Sequence, residues 1–462
     1  MAVMERNIRR ILSIVIFMGI TVSMLYGLAH VMEVKTPHNT YKPFFEEAEQ
    51  IDVLMFGSSH MACDVSPMYL WNKYGITSYN LGNSGEPMAV TYWEMEMAFD
   101  YCQPKVVIVD AWGLDGVMKY NGEGENDSHL SFDAFPISKT KIKAVNDLID
   151  NKKIRLEYLF NVGLYHNRWD RLSQADFVVE PSRQKGTWAY GSEDRFFAPS
   201  PQTQNAIVYE PLIPEKEPVG MQYLRKIAKL CDLKDIKLIV VNNPYVCDTE
   251  RQKYANYIFE ILENEYNATV INFLQMNSVI DLAVDMMDSE HTNTSGMNKI
   301  SDYLGNYMIK NYMLQDHRLD EAYLNWDEDY KDFLLLKDQT FFACTEAKNI
   351  LTLLHDEDYS CEIRVCSDSA IYDDDQYLIL FNNICREHIY DDSKEFSSDL
   401  LNPLKKANQA FETNEEYYLK FNSETKEFSE LIGDEIEDEI IDNIQIIVTN
   451  NITDKEVLSL RR

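Results

Sequence analysis

Short apolar runs alternate with helix-like segments over the first two thirds of the chain, and this alternation is the strongest constraint on its fold. Runs rich in Val, Ile and Leu predict strands, whereas apolar residues that recur every three or four positions predict helices. Strands are predicted within 51–57, 76–82, 104–116, 236–245 and 268–273, and helices at 66–74, 90–102, 138–151, 220–235, 250–266 and 293–313. Because such alternation is typical of parallel sheets covered by helices, residues 51–314 are predicted to form a doubly wound α/β domain.

Two regions depart from this pattern. Residues 117–218 are rich in Asn, Ser, Asp and Pro. We expect them to be an insertion over the carboxyl edge of the sheet, where open α/β sheets bind ligands. Residues 330–462 contain acidic runs and are predicted to be a smaller, acidic α+β domain. Its predicted strands are 332–336, 339–345, 361–367, 376–383 and 443–450, and its predicted helices are 345–358 and 400–411.

The N-terminus predicts a membrane anchor. Residues 4–10 are basic, and the 22 residues of 11–32 include no Lys, Arg, Asp or Glu. At about 1.5 Å per residue, a helix over that stretch is roughly 33 Å long, enough to cross the hydrocarbon core of a bilayer. A cleaved signal peptide is the alternative, but its apolar region is usually shorter, and no clean small-residue cleavage site follows here.

The positive-inside rule predicts the orientation of this anchor. Basic residues precede the apolar span and acidic residues dominate after it. The rule therefore places residues 1–10 in the cytoplasm and, beyond a tether at 33–50, the folded domains outside. The expected protein is a single-pass membrane protein with an extracytoplasmic domain.

Composition excludes several classes of function. The chain has 43 Lys and Arg against 76 Asp and Glu, a formal net charge of -33. Such a surface repels nucleic acid, so nucleic-acid binding is not expected. The eight cysteines include no C-x-x-C pair, and the histidines have no metal-ligand spacing. We therefore predict neither a metal site nor a cofactor.

Ser59, Asp288 and His291 are candidate catalytic residues. A serine hydroxyl needs a base to take its proton and a carboxylate to orient that base. Ser59 follows the first predicted strand in "FGSSH" (56–60), and Asp288 precedes His291 by three residues in "DSEHTNTSG" (288–296). This spacing allows both side chains to reach Ser59 from one loop. The alternative is a structural turn at Ser59 with an unrelated histidine.

These segments, in this order, resemble the SGNH (GDSL-type) superfamily of hydrolases and acyltransferases. The resemblance covers roughly 51–314. "FGSSH" stands at the nucleophile block, with Ser58 in place of the usual Asp, and Asp288 and His291 match the D-x-x-H block. "YNLGNSGEP" (79–87) resembles the second block, so Gly85 would be its glycine. The resemblance implies that the N–H groups of Ser59 and Gly85 bind the oxyanion.

The third block departs from the family pattern. Gly-x-Asn-Asp is expected, whereas "AWGLDG" (111–116) has Leu114 at the position of the oxyanion asparagine. Either another donor replaces it, with Asn83 or a residue of the insertion as candidates, or the oxyanion hole consists of backbone groups alone. Losing one such donor typically lowers the rate by about 10²- to 10³-fold.

Two further residues are candidates for the lining of the same cleft. His60 adjoins the nucleophile, and Asp110 ends the third predicted strand. For His60 the alternative is that it caps or packs against the following helix.

The Gly-Ser-Ser nucleophile block and the anchor make the resemblance strongest to the DltD-like branch. It implies a bacterial, membrane-anchored serine O-acyltransferase or carbohydrate esterase that acts on a cell-envelope polysaccharide or teichoic-acid-like polymer. It also implies a partner, a polytopic membrane O-acyltransferase that supplies the acyl donor. Transfer and hydrolysis use the same residues and stay open. The non-enzymatic alternative, prompted by Leu114, is a surface glycan assembly or binding protein on a degenerate SGNH scaffold.

Overall fold

The computed structural model of the chain contains two five-stranded sheets, a long N-terminal helix and further helices. One sheet is entirely parallel and the other entirely antiparallel. The structure describes residues 2–32, 41–120, 131–132, 135–159, 166–173, 177, 202–203, 205–282, 285–342, 358–365, 417–422, 427–432 and 444–461.

The parallel sheet confirms the predicted α/β class. Its strands are β1 (Val53–Phe56), β2 (Ser78–Asn80), β3 (Val106–Asp110), β4 (Lys237–Asn242) and β5 (Thr269–Asn272). Each lies within a predicted strand, and the order across the sheet is β2-β1-β3-β4-β5. The chain moves to one side of β1 and then to the other, so the strand order reverses between β1 and β3. In doubly wound sheets, ligands bind at the carboxyl end of this switch point.

Helices connect the strands and cover the sheet. Those of the predicted α/β domain are present, with ends shifted by a few residues. In chain order the described helices are α1 (Ala2–Met32), α2 (Tyr41–Glu47), α3 (Ser59–Asp64), α4 (Pro67–Tyr74), α5 (Met88–Ala98), α6 (Lys139–Leu148), α7 (Arg155–Leu159), α8 (Val219–Lys234), α9 (Thr249–Tyr266), α10 (Thr294–Tyr312) and α11 (Leu324–Phe342). Short 3₁₀ helices span Ala48–Gln50, Trp112–Asp115, His166–Asp170, Phe273–Gln275 and Glu321–Tyr323.

The apolar run of β1 is buried on both faces of the sheet. Leu54 and Phe56 belong to a core cluster shared with α5 and α8. Val53 and Met55 belong to a second cluster, shared with α10. Successive side chains of a strand point to opposite faces, so a strand covered on both sides needs an apolar residue at every position. That requirement explains why β1 has no polar alternation.

Helix α1 is long and apolar enough to cross a membrane. The stretch Arg6–Leu28 spans 23 residues with a mean hydropathy of 2.2, and none of it is buried within the described structure. This agrees with the expectation of one N-terminal span. The orientation in the membrane stays a prediction.

Helix α11 shows that the strand predictions at 332–336 and 339–345 were wrong as far as residue 342, because residues 324–342 are helical. Trp326, Tyr330 and Phe333 are buried in the main core at helical spacing, while Leu335 is exposed. A short apolar run such as "DFLLL" fits a strand or a buried helix, and periodicity alone does not separate them. The helix begins before residue 330, so it crosses the predicted domain boundary.

The antiparallel sheet has the order β10-β9-β6-β7-β8. Its strands are β6 (Tyr359–Val365), β7 (Tyr417–Asn422), β8 (Glu427–Ile432), β9 (Ile444–Asn450) and β10 (Lys455–Arg461). The predicted strands 361–367 and 443–450 overlap β6 and β9, whereas the other three were missed. The predicted strand 376–383 and the predicted helices 345–358 and 400–411 lie outside the described residues, except for Asp358.

Gly57, between β1 and α3, has a backbone that only glycine adopts without strain. Its φ is +136°, and a Cβ there would lie 1.9 Å from Asp110 Oδ2. We predict that Gly57→Ala lowers the free energy of unfolding by about 2 to 5 kcal/mol, because backbone strain and overpacking add. Gly116→Ala is the control, since its φ is -56° and its nearest contact would be 3.1 Å. Urea unfolding tests this; equal losses in both variants would contradict it.

Candidate active site

The turn that presents Ser59 lies at the carboxyl end of β1, at the switch point of the sheet. Ser58 caps α3, because its Oγ accepts the N–H of His60 at 3.2 Å. The N–H of Ser58 donates to Asp110 Oδ2 at 2.5 Å, and its hydroxyl donates to Asp110 Oδ1 at 3.2 Å. Asp110 ends β3, so the neighbouring strand holds the turn that carries Ser59.

Asp110, predicted to line the cleft, is buried beneath this turn. Burial raises the pKa of Asp110 to about 6, although hydrogen bonds from the N–H groups of Trp112 and Ser58 oppose the rise. The Asp110 carboxylate thus accepts hydrogen bonds from Ser58, after β1, and from Trp112, after β3. Its contacts indicate a positioning role.

The structure brings Ser59, His291 and Asp288 together. His291 Nε2 lies 2.9 Å from Ser59 Oγ, and His291 Nδ1 lies 3.0 and 3.1 Å from the two carboxylate oxygens of Asp288. With the proton on Nδ1, the ring donates to Asp288, and the lone pair on Nε2 accepts the serine hydroxyl. The side chain of His291 is 20% exposed and that of Asp288 is 50% exposed. His291 therefore lies beside Ser59, which does not agree with the alternative of an unrelated histidine.

Asp288 is held in its ionised form. Its Oδ1 accepts the backbone N–H groups of Glu290 at 2.7 Å and His291 at 2.8 Å. Partial burial acts to raise the pKa of Asp288, but the hydrogen bonds from the His291 ring and from these two N–H groups outweigh it. The pKa of Asp288 is therefore below its usual value, and the carboxylate is charged at neutral pH.

A second carboxylate fixes the loop that carries His291. Asp64, in α3, accepts the N–H of Thr292 at 3.1 Å and its hydroxyl at 2.7 Å. Both residues are buried. Because Ser59 and Asp64 belong to the same short helix, this contact ties the base directly to the helix that carries the nucleophile.

Asp285 joins the loop that carries His291 to helix α10. It is fully buried and accepts hydrogen bonds from Ser295 Oγ at 2.7 Å and Lys299 Nζ at 2.9 Å. The sequence analysis did not single it out, and no local motif marks it. Only the fold shows that Asp285 joins this loop to α10.

His60 forms part of the wall of the site. It is 1% exposed, and the centroid of its ring lies 5.3 Å from those of Tyr245 and His291 and 5.7 Å from that of Trp112. Neither ring nitrogen has a hydrogen-bond partner among the described residues. Burial, together with the nearby His291 and Arg251, lowers the pKa of His60 to about 3, so the ring is neutral.

The position at which the sequence departs from the family pattern offers no side-chain donor. Leu114 is fully buried in the 3₁₀ helix Trp112–Asp115. Gly85, in the loop after β2, has a φ of +58°, a conformation that favours glycine. The resemblance implies that the backbone N–H groups of Ser59 and Gly85 bind the oxyanion, and this role stays a prediction.

Asn83 points its side chain into a buried polar cluster. Its amide Nδ2 lies within hydrogen-bond distance of Ser131 Oγ at 3.0 Å and of Glu86 and Glu94 oxygens at 3.3 Å each. Its backbone N–H donates to the carbonyl of Gly57 at 2.9 Å. An oxyanion role for Asn83 would require its side chain to leave these partners, so the geometry does not favour that predicted role.

Glu86 is the centre of that cluster and directly follows Gly85 in the loop after β2. It accepts hydrogen bonds from Thr91 Oγ1 at 2.7 Å and from the hydroxyl of Ser131, a residue of the predicted insertion. Burial raises the pKa of Glu86 to about 7, and the hydrogen bonds from Ser131, Thr91 and Asn83 oppose that rise. No sequence motif marks this cluster, because Ser131 is distant in sequence from the other members.

Three residues of the site lie close enough together to be candidate metal ligands, which were not predicted from the sequence. The side-chain ligand atoms of His60, Glu290 and His291 all lie within 4.8 Å of one another. Residues 60 and 290 are far apart in sequence, so spacing gave no signal.

No protein-family model matches the chain, and a search of the curated proteins finds no significant match. The relation to the SGNH superfamily is therefore a proposal, based on short sequence segments and on the geometry of the site.

Glu86 gives the site a testable dependence on pH. An acid whose folded-state pKa is raised stabilises the fold fully below its unfolded pKa and loses that contribution as pH rises through the folded pKa. We predict that wild type loses stability relative to Glu86→Gln between pH 4.5 and about pH 7. Urea unfolding of both proteins over this range measures the difference. A difference that does not change with pH would contradict the assignment.

Proposed function

We propose that the chain is a membrane-anchored serine acyltransferase or esterase. The observation that carries the proposal is the contact of 2.9 Å between Ser59 Oγ and His291 Nε2, with Asp288 at 3.0 Å behind the ring. A serine, a histidine and a carboxylate in this order form the arrangement that activates a serine hydroxyl. Its place at the carboxyl edge of a parallel sheet, at the switch point, supports the proposal.

The geometry supports the following reaction. As Ser59 Oγ attacks the carbonyl carbon of an acyl donor, its proton passes to His291 Nε2. Asp288 stays ionised and stabilises the imidazolium, while the N–H groups of Ser59 and Gly85 donate to the oxyanion. His291 then protonates the leaving group, which departs and leaves the acyl group on Ser59. Water or a sugar hydroxyl next gives a proton to His291 as its oxygen attacks the acyl carbon. The bond from that carbon to Ser59 Oγ then breaks, and His291 returns the proton to Oγ, which regenerates Ser59.

We assign the substrate class to cell-envelope polysaccharides or teichoic-acid-like polymers. Helix α1 supports an anchored protein, and the basic residues before it favour an extracytoplasmic site. A tether keeps such an enzyme near a membrane-bound acyl donor. The expected partner is accordingly a polytopic membrane O-acyltransferase that supplies the acyl donor.

A non-catalytic role in glycan binding or assembly is the second candidate. It is favoured by the burial of Leu114 and by the orientation of Asn83 away from the site. Both observations reduce the number of oxyanion donors. Direct measurement of the reactivity of Ser59 distinguishes the two candidates.

Ser59 is expected to react with a fluorophosphonate probe. We predict that the full chain in detergent micelles is labelled once and that Ser59→Ala abolishes labelling. Ser289→Ala is the matched control, because Ser289 is an exposed serine in the loop that carries His291. Fluorescence of the labelled band and mass spectrometry give the result. Absence of labelling in the folded wild-type chain would favour the binding protein.

Asp288→Asn is expected to lower the acylation rate far more than it lowers stability. The amide presents a donor to His291 and favours the wrong tautomer, which costs about 10⁴-fold in serine proteases. We predict a decrease of about 10³- to 10⁴-fold in the rate of Ser59 labelling. Near-UV circular dichroism serves as the control for folding. A decrease of less than about tenfold would show that Asp288 does not orient the base.

Transfer and hydrolysis are separated by the fate of the acyl group. The full chain is incubated with an activated acetyl ester, with and without an envelope glycan as acceptor. We expect acetylated glycan in the presence of the acceptor and acetate in its absence, with both products absent for Ser59→Ala. Acetate as the sole product under both conditions would assign the esterase function.

A further inference from the structure

We propose that His60, His291 and Glu290 bind a divalent transition metal ion such as Zn²⁺, and that the bound metal blocks the base of the site. Metal binding itself does not depend on the proposed function, whereas its inhibitory effect rests on that function. The two are therefore measured separately.

His60 is the observation that points to a ligand. Its ring is almost completely buried, yet neither Nδ1 nor Nε2 has a hydrogen-bond partner among the described residues. A buried polar atom without a partner is costly, and each such atom in a folded protein needs an explanation. A neutral imidazole with an open nitrogen is also the commonest metal ligand.

The ligand atoms of the other two residues converge on this ring. Those of His60, Glu290 and His291 all lie within 4.8 Å of one another. Zn²⁺ takes imidazole nitrogen and carboxylate oxygen at about 2.0 to 2.2 Å, so the atoms must approach by about an ångström or more. Glu290 is exposed and can change rotamer, and the fourth position is left to water.

His291 already has the hydrogen-bond partner that a metal-binding histidine usually has. Histidine ligands usually donate their other ring N–H to a carboxylate, which fixes the tautomer. His291 Nδ1 has this partner in Asp288, at 3.0 Å. The negative charges of Asp288 and Glu290 also favour a cation. The positive charge of Arg251 opposes it, but Asp115 lies 3.3 Å from Arg251 Nη2 and partly balances that charge.

The donor set determines the type of metal. Two imidazoles and one carboxylate suit Zn²⁺ and its neighbours in the transition series, whereas Mg²⁺ and Ca²⁺ prefer oxygen ligands alone. We therefore expect the site to take Zn²⁺ in the presence of excess Mg²⁺. That preference separates it from the acidic surface, which binds hard cations without selectivity.

Metal binding and catalysis compete for one pair of electrons. The lone pair of His291 Nε2 that accepts the Ser59 hydroxyl at 2.9 Å is the same one that would ligate the metal. No covalent bond changes on metal binding. Bound Zn²⁺ therefore leaves Ser59 without a base, and its removal by a chelator restores the base.

The test combines calorimetry with labelling of the full chain in detergent micelles. Zn²⁺ is titrated in a buffer with millimolar Mg²⁺, and we predict one site per chain. His60→Gln and Glu290→Gln should each weaken binding by at least about tenfold, because even the loss of a hydrogen-bond partner of a metal ligand can weaken binding that much. Glu263→Gln, an exposed residue of α9, is the control and should bind as wild type does.

The labelling rate of Ser59 reports the effect on the base. Zn²⁺ should slow fluorophosphonate labelling of wild type, EDTA should restore it, and Glu290→Gln should require more Zn²⁺ for the same effect. Wild-type affinity in both His60→Gln and Glu290→Gln would overturn the site. Stoichiometric binding without any change in labelling would overturn the inhibition. If Ser59 fails to label even without metal, the proposed function fails while calorimetry still tests the site.

Discussion

The hydrogen bonds from Ser58 to the buried carboxylate of Asp110 are the interaction on which the site depends. They join the end of β1 to the end of β3, at the point where the strand order reverses. A positive φ at Gly57 turns the chain sharply enough for this contact, and the close approach of Asp110 leaves no room for a side chain there. Ser59 follows as the first residue of α3, so its position is set by two neighbouring strands.

Buried carboxylates hold the remaining parts of the site. Asp64 ties α3 to the loop with His291, and Asp285 anchors that loop to α10. Glu86, next to Gly85, joins its loop to Thr91 of α5. Burial of ionisable groups is unfavourable unless hydrogen bonds satisfy them. Asp64, Asp285 and Glu86 each accept such hydrogen bonds, which offset the cost of burial and hold the site in a fixed geometry.

The fold could be predicted from the sequence wherever an apolar pattern had one interpretation. The five parallel strands lie in short runs that contain Val, Ile or Leu, separated by helices, and each of them was predicted. The run "DFLLL" has two interpretations, and its helical form in α11 is set by packing of Trp326 and Phe333 against the main core. In the antiparallel sheet, β7, β8 and β10 were missed, because strands such as Glu427–Ile432 mix charged and apolar residues.

The catalytic candidates were predictable, but their surroundings were not. Ser59, Asp288 and His291 belong to short local motifs, and such motifs can be recognised in a single sequence. The side-chain direction of Asn83 depends on Glu86, Glu94 and Ser131, which come together only in the fold. His60 and Glu290 likewise come close to each other only in the fold. Contacts between residues far apart in sequence have no characteristic spacing, so they cannot be predicted from a sequence pattern.

The central claim is that Ser59 is a nucleophile whose base is His291. The most direct measurement is mass spectrometry of the full chain after brief reaction with an activated acetyl ester, quenching in acid and proteolysis. We predict one acetyl group on the peptide that contains Ser59, and its loss in His291→Ala. A folded wild-type chain without acetyl on Ser59, or equal acetylation of Ser59 in His291→Ala, would contradict it.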